Sequence, residues 1–458
     1  MACLPCMASI AVTATPGALA GLTTEHGRLI DPDIVVNGEI DVRDLMDMAA
    51  MPGLRSLNLA GASISEYSSM TPLHMEKSHF EANTLPQYIF FNSDIESITL
   101  PATLTGILDG AFAASGIREI VIPEGVTELG DYAFYGAASL RSVTLPRYFA
   151  NLGKGAFENC ASLQSVNLGA TGVVAIPERC FAGTSALRSL DTSRIREVQS
   201  RAFEGSAVEF LHLPQAKILA DFALANMDGL QGVTLNPQAN LHQGLLMNAT
   251  GLTEITGLPE IVPDLFATNC ISLATGDMLS GAREIGRYAF AHTAADTCLL
   301  GRRLTRIDAG TFRNCMNLQL IDVTALGDRV PETAPDTFEG METMQIGLEV
   351  AENMDGVWRD HPVWGCFNIV SSSSTVTELV ADDNHAGINI SIRGDLLSIR
   401  SDMQITEGAV YDLNGRLVWS LAGATDNPDI SLLSLPQGVM LVRVKDAGGK
   451  TRQLKFIN

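Results

Sequence analysis

The 458-residue sequence predicts a mainly β chain: a solenoid of about 13 turns followed by a small antiparallel β-sandwich. Three observations lead there. One large apolar side chain returns every 20 to 26 residues, at Phe90, Phe112, Phe134, Phe157, Phe181, Phe203, Leu224, Leu246, Phe266, Phe290, Phe312 and Phe338. Each return follows a short run in which apolar and polar residues alternate, as a strand with one buried face requires. The period then vanishes near residue 371, where a cluster of short strand-like segments begins. A fixed period of this length is the mark of a solenoid, whose turns lend each other the surface that none can bury alone.

The elements follow in chain order. Residues 1–20, "MACLPCMASIAVTATPGALA", end in Ala18-Leu19-Ala20, which has the form of a secretory cleavage site. They lack basic residues and a strong apolar centre, so they read either as a weak signal or as the product of a misplaced start codon. Residues 21–53 read as an N-terminal cap with a helix from Val42 to Met51 that carries Leu45, Met48 and Ala49 on one face. The first strand is "LRSLNL", opening the repetitive region 54–346. Inside each turn, trios such as Ile95/Ile98/Leu100, Ile117/Ile120/Ile122, Leu140/Val143/Leu145 and Leu163/Val166/Leu168 face inward. Pro101, Pro123, Pro146 and Pro214 follow the strand, where no ladder donor is needed. "LGDYAF", "LGKGAF" and "IPERCF" then make the bend that turns the aromatic inward. Departures are expected at Leu224 and Leu246, and around "LATGDMLSGAREI" (273–285), where the strand is hard to place. Residues 347–370 read as the closing cap, burying Trp358, Trp364 and Phe367, and 371–378 as a polar linker. Residues 379–458 supply six or seven short strands, with Asn414-Gly415 as a hairpin turn, and read as the sandwich.

Composition removes several function classes. Net charge is −22, and 42 acidic against 22 basic residues precede residue 377, which argues against nucleic acid and against an anionic membrane surface. No run of 18 apolar residues exists to span a bilayer. Eight cysteines invite a disulfide reading, but Cys160, Cys270 and Cys315 recur in "NCASL", "NCISL" and "NCMNL", a slot filled elsewhere by Gly, Ala or Ser. Buried thiols are expected there. His74 and His79 lie too irregularly for a zinc site and read as loop residues; "ADDNH" and "TDNPD" read as solvated acidic turns rather than calcium loops. The Asn248-Ala249-Thr250 and Asn389-Ile390-Ser391 sequons read as chance. No nucleophile, P-loop, metal or dinucleotide motif appears, so no cofactor and no enzymatic activity are expected.

Two resemblances add to this reading. The "GAFxxCxxLxSVxLP" units resemble the BspA-type leucine-rich repeat of bacterial surface proteins over roughly residues 54 to 346, and "VWRDHPVWGCF" resembles the closing segment of that family. The C-terminal combination "VYDLNGRLV", "LPQGVMLVRV" and "KFI" resembles the type IX secretion (Por) sorting domain, carried here by Tyr411, Asp412, Asn414, Gly415, Arg416, Pro436, Gly438 and Lys455. Met440 stands where that family more often has an aromatic. The second resemblance implies an address read by an outer-membrane export machine of Gram-negative bacteria. Such a domain is typically cleaved as the cargo is fixed to the cell surface.

A stack of about 13 strands makes a sheet ~60 Å long. Its exposed ladder is expected to run through Arg118, Glu119, Arg141, Ser142, Thr144, Gln164, Ser165, Asn167, Arg188, Asp191, Glu209, Gln231 and Thr234. The leading expectation is a secreted, surface-anchored adhesion or binding scaffold for extracellular proteins or glycans, of a host matrix or of other bacteria, exported by the type IX machinery. The rivals are a secreted hydrolase or inhibitor with its site in the irregular turn near 273–300, and a passive surface-layer component.

Overall fold

The computed structural model describes residues 10–25, 33–372, 388–393, 396–401, 404–412, 416–421, 423–425, 428–431, 435, 439–447 and 451–457. The chain divides into two compact units, 1–349 with 356–369, and 350–355 with 370–458.

The first unit opens with a cap larger than the sequence suggests. Strand Ile10–Ala14, inside the stretch read as a signal, pairs in parallel with Asp33–Ile40, which pairs in turn with Ser56–Ile64. The helix is Val42–Ala50, one residue shorter than expected, with Met51 as its C-cap. Its buried face is Val42, Asp44, Leu45 and Met48 rather than one including Ala49. Asp41 and Asp44 form a capping box at its start. Asp44 is fully buried and also accepts the backbone N–H groups of Gly17 (2.7 Å) and Leu19 (2.9 Å), which ties the N-terminal segment to the helix.

Beyond the cap, each turn contributes to a parallel ladder that continues Ser56–Ile64 through Ser97–Thr99, Glu119–Val121, Ser142–Thr144 and Ser165–Val166. Their inward trios are buried as the alternation requires. The ladder is not continuous. After Ser165–Val166 the chain turns into a 3₁₀ segment, Leu168–Ala170, and no strand forms around Leu190. Two polar side chains account for the break. Asn167 accepts from Leu145 N (2.7 Å) and donates to Leu145 O (2.9 Å), replacing a rung with its own amide. Asp191 accepts from both the backbone N and the hydroxyl of Ser193, closing a local turn. The ladder resumes at Phe210–His212, Gly232–Thr234 and Glu254–Thr256, thins to one bridge, Gly276 with Cys298, and resumes at Thr297–Leu299. The stretch 273–285 is thus the irregular turn, whereas the Leu224 and Leu246 turns keep the regular backbone pattern.

The bends form a hydrogen-bonded stack of their own, next to a second parallel ladder of two-residue strands such as Ala175–Ile176, Glu197–Val198, Ile218–Leu219 and Asn240–Leu241. In the turn of Phe90, the N–H groups of Tyr88, Phe90 and Asn92 donate to Asp109, Ala111 and Ala113 of the next turn. Those of Ile89, Phe91 and Ser93 donate three residues back within the same turn. Alternating the two directions pairs each of these donors, and the same pattern holds the residues two before and two after the aromatic slot at positive φ in many turns. The two-before position is Tyr88, Tyr132, Phe222 or Tyr288 in some turns and Gly110, Gly155, Gly244 or Gly310 in the next. The alternation has a steric cause: a Cβ on Gly110 would lie 2.3 Å from the Tyr88 ring, and one on Gly155 would lie 2.5 Å from that of Tyr132.

The aromatic slot forms a buried column. Phe90, Phe112, Phe134, Phe157, Phe181 and Phe203 stack with centroids 5.3 to 5.6 Å apart and interplanar angles below 20°. Phe290, Phe312 and Phe338 form a second stack. Between them the sequence-based assignment needs one correction. Leu246 N donates to Phe266 O and Ala267 N to Ala289 O, so the backbone places Ala267, not Phe266, in the slot. Phe266 fills the neighbouring small-residue position and meets Phe290 edge-on at 5.8 Å. The far end closes as expected. Trp358 and Trp364 are fully buried and donate their indole N–H to Gly327 O and Thr333 Oγ1, and Trp364 and Phe367 cover Phe338.

The second unit is the antiparallel sandwich. One sheet is formed by Ile388–Arg393, Leu396–Ser401 and Asp429–Ser431; the other has the order Leu417–Ser420, Ile405–Asp412, Val439–Asp446, Thr451–Ile457. Leu397, Ile399 and Ile430 of the first meet Val410, Met440, Val442 and Val444 of the second in one core.

Candidate functional site

Three surfaces of the described residues carry features beyond packing. The first is the predicted ladder. Consecutive main-chain bonds align Glu96, Arg118, Arg141 and Gln164 in one column, and Arg188, Glu209, Gln231 and Thr253 in another. The break at 168–191 separates them. Arg118 pairs with Glu96 at 2.8 Å and Arg188 with Glu209 at 3.5 Å, both exposed pairs of the kind that contribute little to stability. Arg141 has no ion pair among the described residues, and Gln164 is exposed. Glu119 and Thr144 stand at outward positions of their strands, opposite Ser142 and Val121. Asn167 and Asp191 are spent on local structure, and the Ser193 hydrogen bonds hold Asp191 below the usual carboxylate range. The sequence alternation missed the apolar content of this face: Val121 is 67% and Phe210 60% exposed.

The second surface lies beside the irregular turn. A depression of about 570 Å³ is bordered by Glu260, Arg283, Arg302, Arg303 and Arg329. Arg283 pairs with Glu284 and Arg303 with Glu260, while Arg302 and Arg329 have no ion pair among the described residues. The seven arginines between residues 283 and 329 of an acidic chain were a legible signal. The four guanidinium groups share the lining with Glu260, Leu304, Thr305, Val330 and Pro331. Among the described residues no group of three or more His, Cys, Asp or Glu is placed to hold a metal.

The third surface is an aromatic cleft of about 450 Å³ lined by Tyr88, Phe91, Ala113, Tyr132, Tyr135, Glu158 and Arg179. Each aromatic pair is edge-to-face, Tyr88 with Phe91 at 6.1 Å and Tyr132 with Tyr135 at 5.8 Å. The sequence held its signal in "YIFF" and "YAFY", aromatics two before and one after the slot, with "GAFA" between them.

The other candidates resolve simply. Cys160, Cys180, Cys270, Cys298 and Cys315 are buried free thiols, and Cys366 is exposed. Burial pushes the thiols of Cys160 and Cys270 up to about 12. His74 meets Gln87 O at 2.6 Å, and His79 lies in a two-residue strand beside Ser68. Asn248 donates its amide to Asn226 at 2.8 Å within a surface ladder. In the sandwich, Tyr411 pairs with Leu417 and Leu441, Asp412 with Met440, Lys455 with Leu441, and Arg416 is exposed. Asn414, Gly415, Pro436 and Gly438, and the stretch 381–385, lie outside the described residues.

Comparison with known proteins agrees with this geometry. The BspA type leucine rich repeat region matches in six copies, over residues 83–209, 170–261 and 257–346. Among solved structures, a leucine-rich repeat protein from Bacteroides ovatus is similar, with a TM-score of 0.53 and 18% identity over 74% of this chain and 88% of that one. One from Eubacterium ventriosum gives a TM-score of 0.35 and 14% identity over 66% and 88% of the two chains. The pneumococcal vaccine antigen PcpA gives 0.31 and 16% over 80% and 82%. At 18% identity the likeness to the Bacteroides ovatus protein establishes the fold alone. No curated protein matches the chain.

Proposed function

Because the chain belongs to the BspA type leucine-rich repeat family, we propose that it is a cell-surface binding or adhesion scaffold for extracellular protein or glycan. The observation that carries this reading is the ladder face: aligned columns of polar side chains, with Val121 and Phe210 exposed among them, on a stack whose own backbone donors are already paired. Such a surface offers many weak contacts along an extended partner rather than one deep pocket. A surface scaffold needs a device that holds it there, and no helix among the described residues is long and apolar enough to cross a membrane. We assign that role to the sandwich, as a type IX sorting tail. Its support is the order of Tyr411 on strand Ile405–Asp412, Arg416 just before Leu417–Ser420 and Lys455 on Thr451–Ile457, together with the "VYDLNGRLV" and "LPQGVMLVRV" landmarks.

Two measurements test the reading. Binding of the full chain to immobilised extracellular-matrix proteins is expected to be saturable and to weaken when Arg141 and Arg188 are both replaced by Ala. Unchanged binding, or none to matrix protein or bacterial surface extract, overturns it and leaves a passive surface-layer role. Fractionation of producing cells with mass spectrometry of both termini tests export; intact tail peptides on the mature surface protein remove the sorting-tail assignment.

A further inference from the structure

The aromatic cleft lies on the bends, away from the strand ladder, and its construction is specific. Phe90, Phe112 and Phe134 stack at 5.5 and 5.3 Å, so the rungs bearing Tyr88/Phe91 and Tyr132/Tyr135 stand about 11 Å apart. The rung between them contributes only Gly110 and Ala113, and Ala113 forms the floor. The Tyr88 ring lies over Gly110, so the opening is over Ala113, and removing one aromatic thickness, about 3.5 Å, leaves a gap of about 7.5 Å, wider than a single flat ring. Its walls face solvent: Phe91 is 56% and Tyr135 39% exposed.

One end of the slot is polar and unusual. Glu158 is only 5% exposed. Its Oε1 takes both Arg179 Nε and Nη2 at 2.7 Å, while Oε2 accepts no hydrogen bond among the described residues. Ser93 Oγ is the one buried side-chain oxygen or nitrogen without a partner among the described residues, so Glu158 Oε2 keeps contact with solvent and a donor entering the cleft can reach it. Arg179 also faces Glu204 at 3.5 Å, so the pair adds no net positive charge to the cleft.

We propose that this cleft is a glycan subsite that takes a neutral pyranose ring between Phe91 and Tyr135, with a sugar hydroxyl donating to Glu158 Oε2. A pyranose presents an apolar C–H face to an aromatic wall and carries hydroxyl donors on its rim, which is the combination of surfaces found here. An anionic sugar is disfavoured because two carboxylates, Glu158 and Glu204, share the single Arg179 guanidinium at this end of the cleft. An added peptide strand is disfavoured because the rung donors are already committed, Tyr88 to Asp109, Phe90 to Ala111, Gly110 to Asp131 and Phe112 to Ala133. The inference deepens the scaffold reading by naming a ligand class at a second face, and it rests on that reading for the extracellular setting.

The test is native electrophoresis of the full chain through gels containing mannan, dextran, laminarin, galactan or xyloglucan. At least one of these is expected to retard the protein. Phe91→Ala and Tyr135→Ala each weaken that retention about tenfold, the ratio that ~1.4 kcal/mol of lost stacking corresponds to. Glu158→Gln weakens it severalfold, and thermal midpoints of the three variants show that each remains folded. The Arg141→Ala/Arg188→Ala protein is retained as strongly as the parent. Absence of retardation by all five polysaccharides, or retention indifferent to Phe91 and Tyr135, overturns the glycan subsite while leaving the ladder reading intact. Retention lost only in the ladder variant, or a cleft that binds peptide alone, also overturns it.

Discussion

Replacing Phe157 by alanine removes one ring from the middle of the longer stack. Phe157 is fully buried, 5.6 Å from Phe134 on one side and 5.4 Å from Phe181 on the other, with interplanar angles of 10° and 19°. Neither neighbour can fill the space without leaving its own stack, so the loss is expected at the upper part of the ~3–5 kcal/mol range for buried Phe→Ala changes. In a solenoid each turn contacts only its neighbours, and the damage is therefore local. Hydrogen exchange read by mass spectrometry is expected to show lost protection in peptides spanning residues 129–190, with peptides from the N-terminal cap and from 320–367 unchanged. Phe266→Ala supplies the internal comparison: its ring has one aromatic neighbour among the described residues, Phe290, met edge-on outside the slot, and its cost is about 1 kcal/mol smaller. Uniform loss of protection along the chain, no loss, or equal costs for the two variants refutes the stacked-column argument.

Four further outcomes follow from particular residues. Asp44→Ala strips the acceptor from three backbone donors, Gly17, Leu19 and Asp41, and is expected to cost ~3–5 kcal/mol and to expose residues 10–25 to protease before the solenoid opens; equal resistance to cleavage sinks this. Gly110→Ala adds a clash with Tyr88 to the positive-φ penalty, whereas Gly136→Ala, with nothing within 4 Å, incurs the penalty of ~1 kcal/mol alone; urea midpoints should rank them so, and Tyr88→Ala should relieve the first. Alkylation of the native chain followed by peptide mapping is expected to label Cys366 and to spare Cys160 and Cys270, whose burial disfavours the thiolate; native labelling of Cys160 contradicts the assignment. Burial lowers the His361 pKa while its Nδ1 accepts from Val363 and Trp364, so its contribution is complete above the ordinary value of 6.5 and is lost as pH falls below it. Burial and Asp322 raise Glu349 above the ordinary carboxylate range, so its penalty at neutral pH fades as pH falls through the raised value. Thermal midpoints of His361→Gln and Glu349→Gln between pH 7.5 and 4.5 should therefore diverge from the parent in opposite directions, and parallel curves would reject the pair.

The sequence by itself determined the repeating architecture, because burial of one face writes a period. Phe90, Phe112, Phe134 and their trios recur in register, Trp358, Trp364 and Phe367 mark the closing end, and the hairpin signal at 414–415 stands between two strands that do pair, Ile405–Asp412 and Leu417–Ser420. Only the tertiary structure decided what depends on the neighbouring turn. Phe266 and Ala267 are adjacent in sequence and equally compatible with the period, and the hydrogen bonds of Leu246 and Ala267 to flanking turns choose between them. Asn167 reads as a free ladder residue until Leu145, one turn away, is seen to occupy its amide. The aromatic cleft exists because residues 88, 91, 132 and 135, up to 47 positions apart, are brought two rungs from one another across a small-residue turn. The physical reason is the same throughout. Hydrophobic burial acts residue by residue and leaves its trace in the chain, whereas hydrogen-bond pairing and cleft shape are properties of adjacent turns, which no single turn encodes.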